Sequence, residues 1–183
     1  KGICRSHASP TGFYKTNRCG SAPVSAAGNK EEAEYMLVCA EYELRNPNSI
    51  ELLREYLDTY PDTPHANRIC ALIASAYFFE GKYDDALAMF NSSRLDLLSN
   101  EERDDMTYRL ATCYLKTGNV KEAAIWFETL RSTGSRYTTD CTYYLAYIRY
   151  SQQRYDDALS GFLSLQDNAK YEALVLITSR KYI

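Results

Sequence analysis

The chain has 183 residues, of which 45% are apolar and 25% are charged, the composition of a soluble globular protein. Its formal net charge of −3 gives no overall basic field, which argues against a nucleic acid as the partner. No apolar run approaches the ~18 residues of a membrane-spanning helix, so the sequence predicts no direct membrane span.

Residues 1–29 form a polar lead rich in Ser, Gly, Ala, Thr and Pro, without sustained periodicity. This composition predicts a flexible or irregular segment. Cys4 and Cys19 lie in the lead with His7 between them, and a disulfide between the two cysteines is an open alternative. A metal site is not predicted, because one Cys-x2-His pair plus a distant Cys is an incomplete ligand set.

From about residue 30 onward, the sequence predicts helices almost throughout. Asn29 followed by Lys-Glu-Glu favours a helix start with an acidic first turn, and the Asn46-Pro47 pair ends this first helix. Short breakers between the apolar-periodic segments predict antiparallel neighbours, and no strand alternation occurs, so the fold class is all-α. The further helices are expected between Asn48 and Pro61 and at about 65–79, 83–92, 101–116, 120–131, 138–151, 155–165 and 168–181.

The other four cysteines fall within these apolar helical patterns. A free cysteine in such a pattern behaves as a small buried hydrophobe rather than as part of a disulfide framework. The residues concerned are Cys39, Cys70, Cys113 and Cys141.

One decapeptide recurs in the second helix of three successive pairs: GKYDDALAMF at 81–90, GNVKEAAIWF at 118–127 and QRYDDALSGF at 153–162. A small residue lets two helices approach closely, and an aromatic ring one turn later fills the space between neighbouring hairpins. The hairpins are therefore predicted to stack into one superhelix. The repeated residues are Ala74, Ala111 and Ala146 in the first helices, and Ala86, Ala123, Ala158, Phe90, Phe127 and Phe162 in the second helices.

These residues resemble the tetratricopeptide repeat, whose signature combines a small residue and Tyr in the first helix with Gly, Tyr, Ala and Phe across the second. The unit with Tyr77, Gly81 and Tyr83 matches best, and the next unit has Tyr114 and Gly118. The resemblance implies a right-handed superhelix of stacked antiparallel helix pairs, an α-α solenoid. It divides a repeat domain at 30–183 into units at about 31–61, 65–98, 101–135 and 138–166, followed by a terminal helix at about 168–181.

The linker between the first two units is similar to that of bacterial envelope members of the family, of the Tol-Pal coordination and outer-membrane assembly type. Those members have the pattern YP-x-(S/T)-P-x-A, and Pro61, Thr63, Pro64 and Ala66 stand at its points here. This resemblance implies a location in the bacterial periplasm or at the outer membrane, with the cytoplasm as the alternative.

The resemblance also implies a non-catalytic scaffold that binds a peptide or helix of a partner protein on the concave face formed by the first helices. Three tyrosines within five residues on one helix flank are typical of a recognition surface, although packing against the next hairpin would use them equally well. The candidate partner-binding residues are Arg68, Leu72, Tyr108, Arg109, Thr112, Lys116, Tyr143, Tyr144 and Tyr147, and Ser75, Phe79, Asp105 and Asp140 are expected on the same face.

Some members of the family grip a C-terminal carboxylate with a Lys/Asn/Arg clamp, but only Arg109 matches such a clamp here, so this mode is not expected. No catalytic site or cofactor is predicted, because His7 and His65 lie in linkers and no Gly-rich phosphate loop occurs. Two alternatives stay open. The chain is a regulatory or accessory segment of a longer multidomain protein, or it associates with itself as a homodimer through the apolar terminal helix.

Overall fold

The computed structural model describes residues 26–168 and 170–171. Within them, eight α-helices form four consecutive antiparallel pairs and no strand occurs, so the predicted all-α helical-repeat fold is confirmed. The helices are α1 (Ala26–Glu43), α2 (Ser49–Thr59), α3 (Ala66–Phe79), α4 (Tyr83–Ser92), α5 (Asn100–Lys116), α6 (Val120–Ser132), α7 (Thr138–Ser151) and α8 (Tyr155–Leu163), with a short 3₁₀ helix at Leu95–Leu97.

Successive pairs contact one another through α2 and α3, through α4 and α5, and through α6 and α7. Each first helix after α1 therefore packs both on its own partner and on the second helix of the preceding pair. None of the helices in the described ranges combines the length and apolar character that a bilayer crossing requires.

The repeated small and aromatic residues form the core, as their spacing predicts. The three alanines of the first helices are fully buried, and the alanines and phenylalanines of the second helices are buried as well. Because alanine leaves little bulk between two helix axes, each pair closes tightly, and the phenylalanine one turn later fills the gap beside it.

The turns inside the pairs depend on residues with positive φ. Gly81 and Gly118 have φ of +75° and +84°, a left-handed conformation that glycine adopts without steric cost. In the fourth pair Gln153 takes the corresponding place with φ of +64°. This conformation costs a residue with a side chain about 1–2 kcal/mol, so Gln153 in the turn of the fourth pair lowers the stability of the folded chain.

Helix boundaries differ from the sequence expectation at two points. The first helix begins at Ala26, so Asn29 lies inside α1 and does not precede it. Alanine is the strongest helix former, and two alanines at positions 26 and 27 favour this earlier start. The last described helix ends at Leu163 rather than near 165.

Only residues 168, 170 and 171 of the terminal helix predicted at about 168–181 are described. Lys170 and Tyr171 form a turn, and the helix itself stays a prediction. The expectations for the lead up to residue 25, for the pairing of Cys4 with Cys19, and for a terminal helix beyond residue 171 lie outside the described residues.

The cysteines within the helices are free thiols and differ in burial. Cys113 and Cys141 are fully buried, as their apolar surroundings predict, whereas Cys39 and Cys70 are half-buried. Burial raises the pKa of Cys113 to about 12 and has the same effect on Cys141. These two thiols therefore serve as packing groups.

Candidate functional site

A groove of ≈ 450 Å³ lies on the face formed by the first helices. Its walls come from the end of α1 and the loop that follows, from α3 and from α5. Three of the candidate partner-binding residues, Arg68, Leu72 and Arg109, line this groove, together with Phe79 and Asp105, which were expected on the same face. The other lining residues include Tyr42, Arg45, Pro47, Glu80, Glu102 and Met106.

Phe79 is the main apolar feature of the groove. It is the last residue of α3, and 51% of its surface is exposed. The guanidinium carbons of Arg45 and Arg109 lie 4.9 Å and 5.0 Å from its ring centroid, within the range of cation–π attraction. Two guanidinium groups therefore lie against one aromatic ring in the lining of the groove.

The two arginines beside Phe79 are anchored differently. Arg109 donates from Nη1 to the hydroxyl of the buried Ser75, and its Nη2 lies 3.9 Å from Asp105 Oδ2. Arg45, with φ of +55° just after α1, forms no ion pair with any described residue. Of the two cations beside Phe79, Arg45 is therefore the one without a carboxylate partner among the described residues.

Arg68 links three first helices across the floor of the groove. Its Nε lies 2.7 Å from Glu102 Oε1 on α5, and its Nη1 donates to the hydroxyl of Tyr35 on α1. The hydrogen bond from Ser99 and the charge of Arg68 hold the pKa of Glu102 below its usual range. Glu102 is therefore ionised at neutral pH, where it forms an ion pair with the guanidinium of Arg68.

Four junctions follow the four pairs: three lie between successive pairs, and the fourth is the contact of α7 with residues 170–171. Three of the four share a set of side chains that we term the junction clamp. It consists of a carboxylate, a tyrosine three residues later on the same first helix, and an aromatic ring from the segment that follows the pair. In the first clamp, the His65 ring stacks on Tyr35 with centroids 3.7 Å apart, and His65 Nε2 lies 3.0 Å from Glu32 Oε2.

The third and fourth junctions repeat this arrangement. Tyr137 stacks on Tyr108 at 4.4 Å and donates its hydroxyl to Asp105 Oδ1 over 3.0 Å. At the last junction the members are Asp140, Tyr143 and Tyr171, with the rings 4.8 Å apart and the Tyr171 hydroxyl donating to Asp140. A cation precedes the ring in both cases, since Arg136 and Lys170 lie 2.5 Å from Asp105 and Asp140 respectively.

The second junction lacks this clamp and inverts its charges. By the repeat spacing, Arg68 stands at the carboxylate position, Ala71 at the tyrosine position and Glu102 at the ring position. The Arg68–Glu102 ion pair replaces the contact between carboxylate and ring, and Ala71 supplies no ring to stack. The groove lies along this junction, where no stacked pair fills the inner face.

The tyrosines that the sequence marked as a recognition surface have packing partners. Tyr108 and Tyr143 belong to junction clamps, and Tyr144 stacks on Phe127 with centroids 4.9 Å apart. Tyr147 is half-exposed and does not line the groove. The structure therefore does not bring the tyrosines together with Arg68 and Arg109.

The remaining predicted residues also separate. Lys116 is exposed at the end of α5, outside the groove lining. Thr112 is buried and donates its hydroxyl to the carbonyl of Tyr108, and it does not line the groove, so its contact with a partner stays a prediction. Leu72 is buried as well and contributes only the groove floor.

Arg45 and the junction clamp were not predicted from the sequence. Arg45 precedes the Asn46-Pro47 helix stop, and nothing local indicates that its side chain reaches the ring of Phe79. The clamp does leave a pattern in the sequence, namely an acid followed three residues later by Tyr, with a ring 28 to 30 residues further on. That pattern becomes visible only when the units are aligned by their buried alanines.

Among the described residues, no cluster of His, Cys, Asp and Glu side chains is suited to a metal ion. No curated protein matches the chain. A family model described as tetratricopeptide repeat matches residues 71–136, which run from within α3 to just beyond α6. The chain is thus similar to the tetratricopeptide-repeat family over this segment, and its described helices have the all-α repeat fold of that type.

Proposed function

We propose that this chain is a protein-binding scaffold and that a segment of a partner protein occupies the groove between α1, α3 and α5. Repeats of the tetratricopeptide type generally mediate protein–protein interactions, and residues 71–136 match such repeats. The observation that carries the proposal is Phe79, half-exposed in the groove and flanked by the guanidinium groups of Arg45 and Arg109. Aromatic and arginine side chains are enriched among the residues that dominate binding energy at interfaces.

The groove favours a segment that carries an apolar side chain next to a carboxylate. The apolar group would cover the exposed part of Phe79, because burial of apolar surface drives most protein association. The carboxylate would pair with Arg45, since Arg68 and Arg109 already have partners within the chain. Arginine suits this role because its planar guanidinium binds a carboxylate through two hydrogen bonds.

A scaffold rather than an enzyme is proposed because the main acidic groups of the groove already have partners within the chain. Arg68 pairs with Glu102, and Asp105 is bound by Arg136 and Tyr137. No nucleophile with an adjacent base lines the groove. A location at a bacterial envelope is a further proposal, which depends on the linker at Pro61–Ala66 and is tested by cell fractionation.

The test compares affinity capture from cells of the native host by the wild-type chain and by Phe79→Ala. The control is Leu97→Ala, because Leu97 is also largely exposed but lies outside the groove lining. We expect the partners bound by the wild type and the control to fall about tenfold or more with Phe79→Ala, the usual loss at a central interface residue. Equal capture by all three proteins would contradict the groove as the binding site.

A further inference from the structure

The outer face of α1 carries a continuous apolar stripe that faces solvent. Ala33, Met36, Leu37 and Ala40 recur at the spacing of one helix face, Leu44 continues this spacing directly after α1, and all five are exposed. Met36, Leu37 and Leu44 are exposed to 63%, 58% and 78%. The opposite face of α1, with Tyr35 and Val38, is buried. A contiguous stripe of this kind marks an interaction surface more than scattered single residues do.

Three of the five stripe positions are buried in the later first helices. By the repeat spacing, the places of Ala33, Leu37 and Ala40 are taken in α3 and α5 by Ile69, Ile73, Ala76, Met106, Leu110 and Cys113. All six are buried, and α3 and α5 contact the second helix of the pair before them, α2 and α4. The α1 stripe is therefore apolar at positions that a neighbouring helix covers in the later pairs.

The charges around the stripe indicate the kind of helix that fits. Five acids and one base lie between residues 30 and 43 of α1. At the equivalent interface between α2 and α3, Arg54 donates from Nη2 to the Tyr77 hydroxyl over 2.7 Å. Glu41 stands at the Tyr77 position in α1, so a base at the Arg54 position of a covering helix would meet a carboxylate.

We propose that the outer face of α1 docks an amphipathic helix of a partner protein, apolar along one face and basic at its flank, in the way α2 covers α3. A second copy of this chain is the less favourable occupant, because pairing α1 with itself would bring its acidic flanks together. This surface is separate from the inner groove, so the chain has two places where a protein partner binds.

The test uses a labelled, side-chain-stapled helical peptide of residues 49–60 in which Glu51→Gln, Glu55→Gln and Asp58→Asn leave Arg54 as the charged side chain. Binding to the full chain is measured by fluorescence anisotropy. We expect binding that weakens at least tenfold with Leu37→Asp and persists with the control Ile125→Asp, which changes an equally exposed residue on α6. Circular dichroism verifies that both variants fold.

A charge reversal makes the test specific. A peptide that also carries Arg54→Glu should bind the wild type several-fold more weakly and should regain affinity for Glu41→Lys. Equal binding of the two peptides to the wild type, or no effect of Leu37→Asp, would overturn the proposal. A dimer that Leu37→Asp dissociates in sedimentation equilibrium would identify a second copy as the occupant. Binding that appears only after deletion of residues 1–25 would identify the chain's own lead instead, and either result rejects a partner helix.

Discussion

Replacement of Gly161 by alanine tests how closely α7 and α8 approach. A Cβ at position 161 would lie 2.8 Å from the Cβ of Ala146 and 3.6 Å from its Cα. Alanine in a helix is about 1 kcal/mol more favourable than glycine, whereas forcing extra volume into a packed contact costs about 1–3 kcal/mol. Because Ala146 is fully buried and has no flexible end that can move aside, the clash should dominate. We expect Gly161→Ala to lower the free energy of unfolding by about 1 kcal/mol.

The matched change, Ala146→Gly, separates the two effects. In that background the added methyl has room, so Gly161→Ala should raise the free energy of unfolding by about 1 kcal/mol. Urea unfolding followed by circular dichroism gives all four values of the double-mutant cycle, and the coupling should be about 1–3 kcal/mol. Ser160→Ala, at an exposed position of α8, serves as a propensity control with an effect of a few tenths. A stabilising Gly161→Ala with no coupling to Ala146 would refute the close approach.

The remaining predictions concern one clamp, one buried thiol and one ion pair. Tyr137→Phe keeps the stacked ring but loses the hydrogen bond to Asp105, so it should lower the free energy of unfolding in urea by about 0.5–1.5 kcal/mol. Tyr137→Ala also removes the ring and should lower this free energy clearly more. Equal losses in the two variants would argue against a contribution from the stacked rings. Because burial raises the pKa of Cys113 to about 12, its contribution to stability is full below the unfolded pKa of about 8.5 and is lost as pH rises toward 12. Iodoacetamide at pH 8.5 should therefore alkylate this thiol only in urea, as mass spectrometry of the peptides would show, and rapid native labelling would contradict its burial. Glu102→Gln should lower the free energy of unfolding by less than about 1 kcal/mol at neutral pH. Since the pKa of Glu102 is depressed, its contribution is present above the unfolded pKa of about 4.3 and is lost as pH falls from there through the lower folded pKa. A difference from wild type that stays constant over this acid range would not come from the ion pair with Arg68.

The repeat and its core were predictable because they depend on local spacing. Ala123 and Phe127 recur with the same neighbours in successive units, and a helix places residues four apart on one face. Burial of both residues follows from that geometry and from their apolar character, whichever unit they belong to. The glycine breaks at Gly81 and Gly118 are predictable for the same reason, since positive φ at a helix end favours glycine strongly.

The roles of the tyrosines were not predictable from local pattern. A tyrosine on a helix flank suits a binding surface and a helix junction equally, because its ring is apolar and its hydroxyl accepts a polar contact in either place. Tyr143 stacks on Tyr171 only because the segment that follows the fourth pair places the Tyr171 ring beside α7. The partner ring is 28 residues away in the chain, so its position depends on how whole pairs stack.

The sequence by itself determined the helix pairs, their order and the residues that close them, since each depends on neighbours within one or two turns. Tertiary structure alone decided which part of the inner face stays open. Where Ala71 and Glu102 replace the tyrosine and ring of the junction clamp, no stack fills the space, and Arg68 instead links α1, α3 and α5. The reason is that a first helix is covered by side chains from other units, and only the stacked arrangement shows which of its surfaces, such as Phe79 and the outer stripe of α1, remain uncovered.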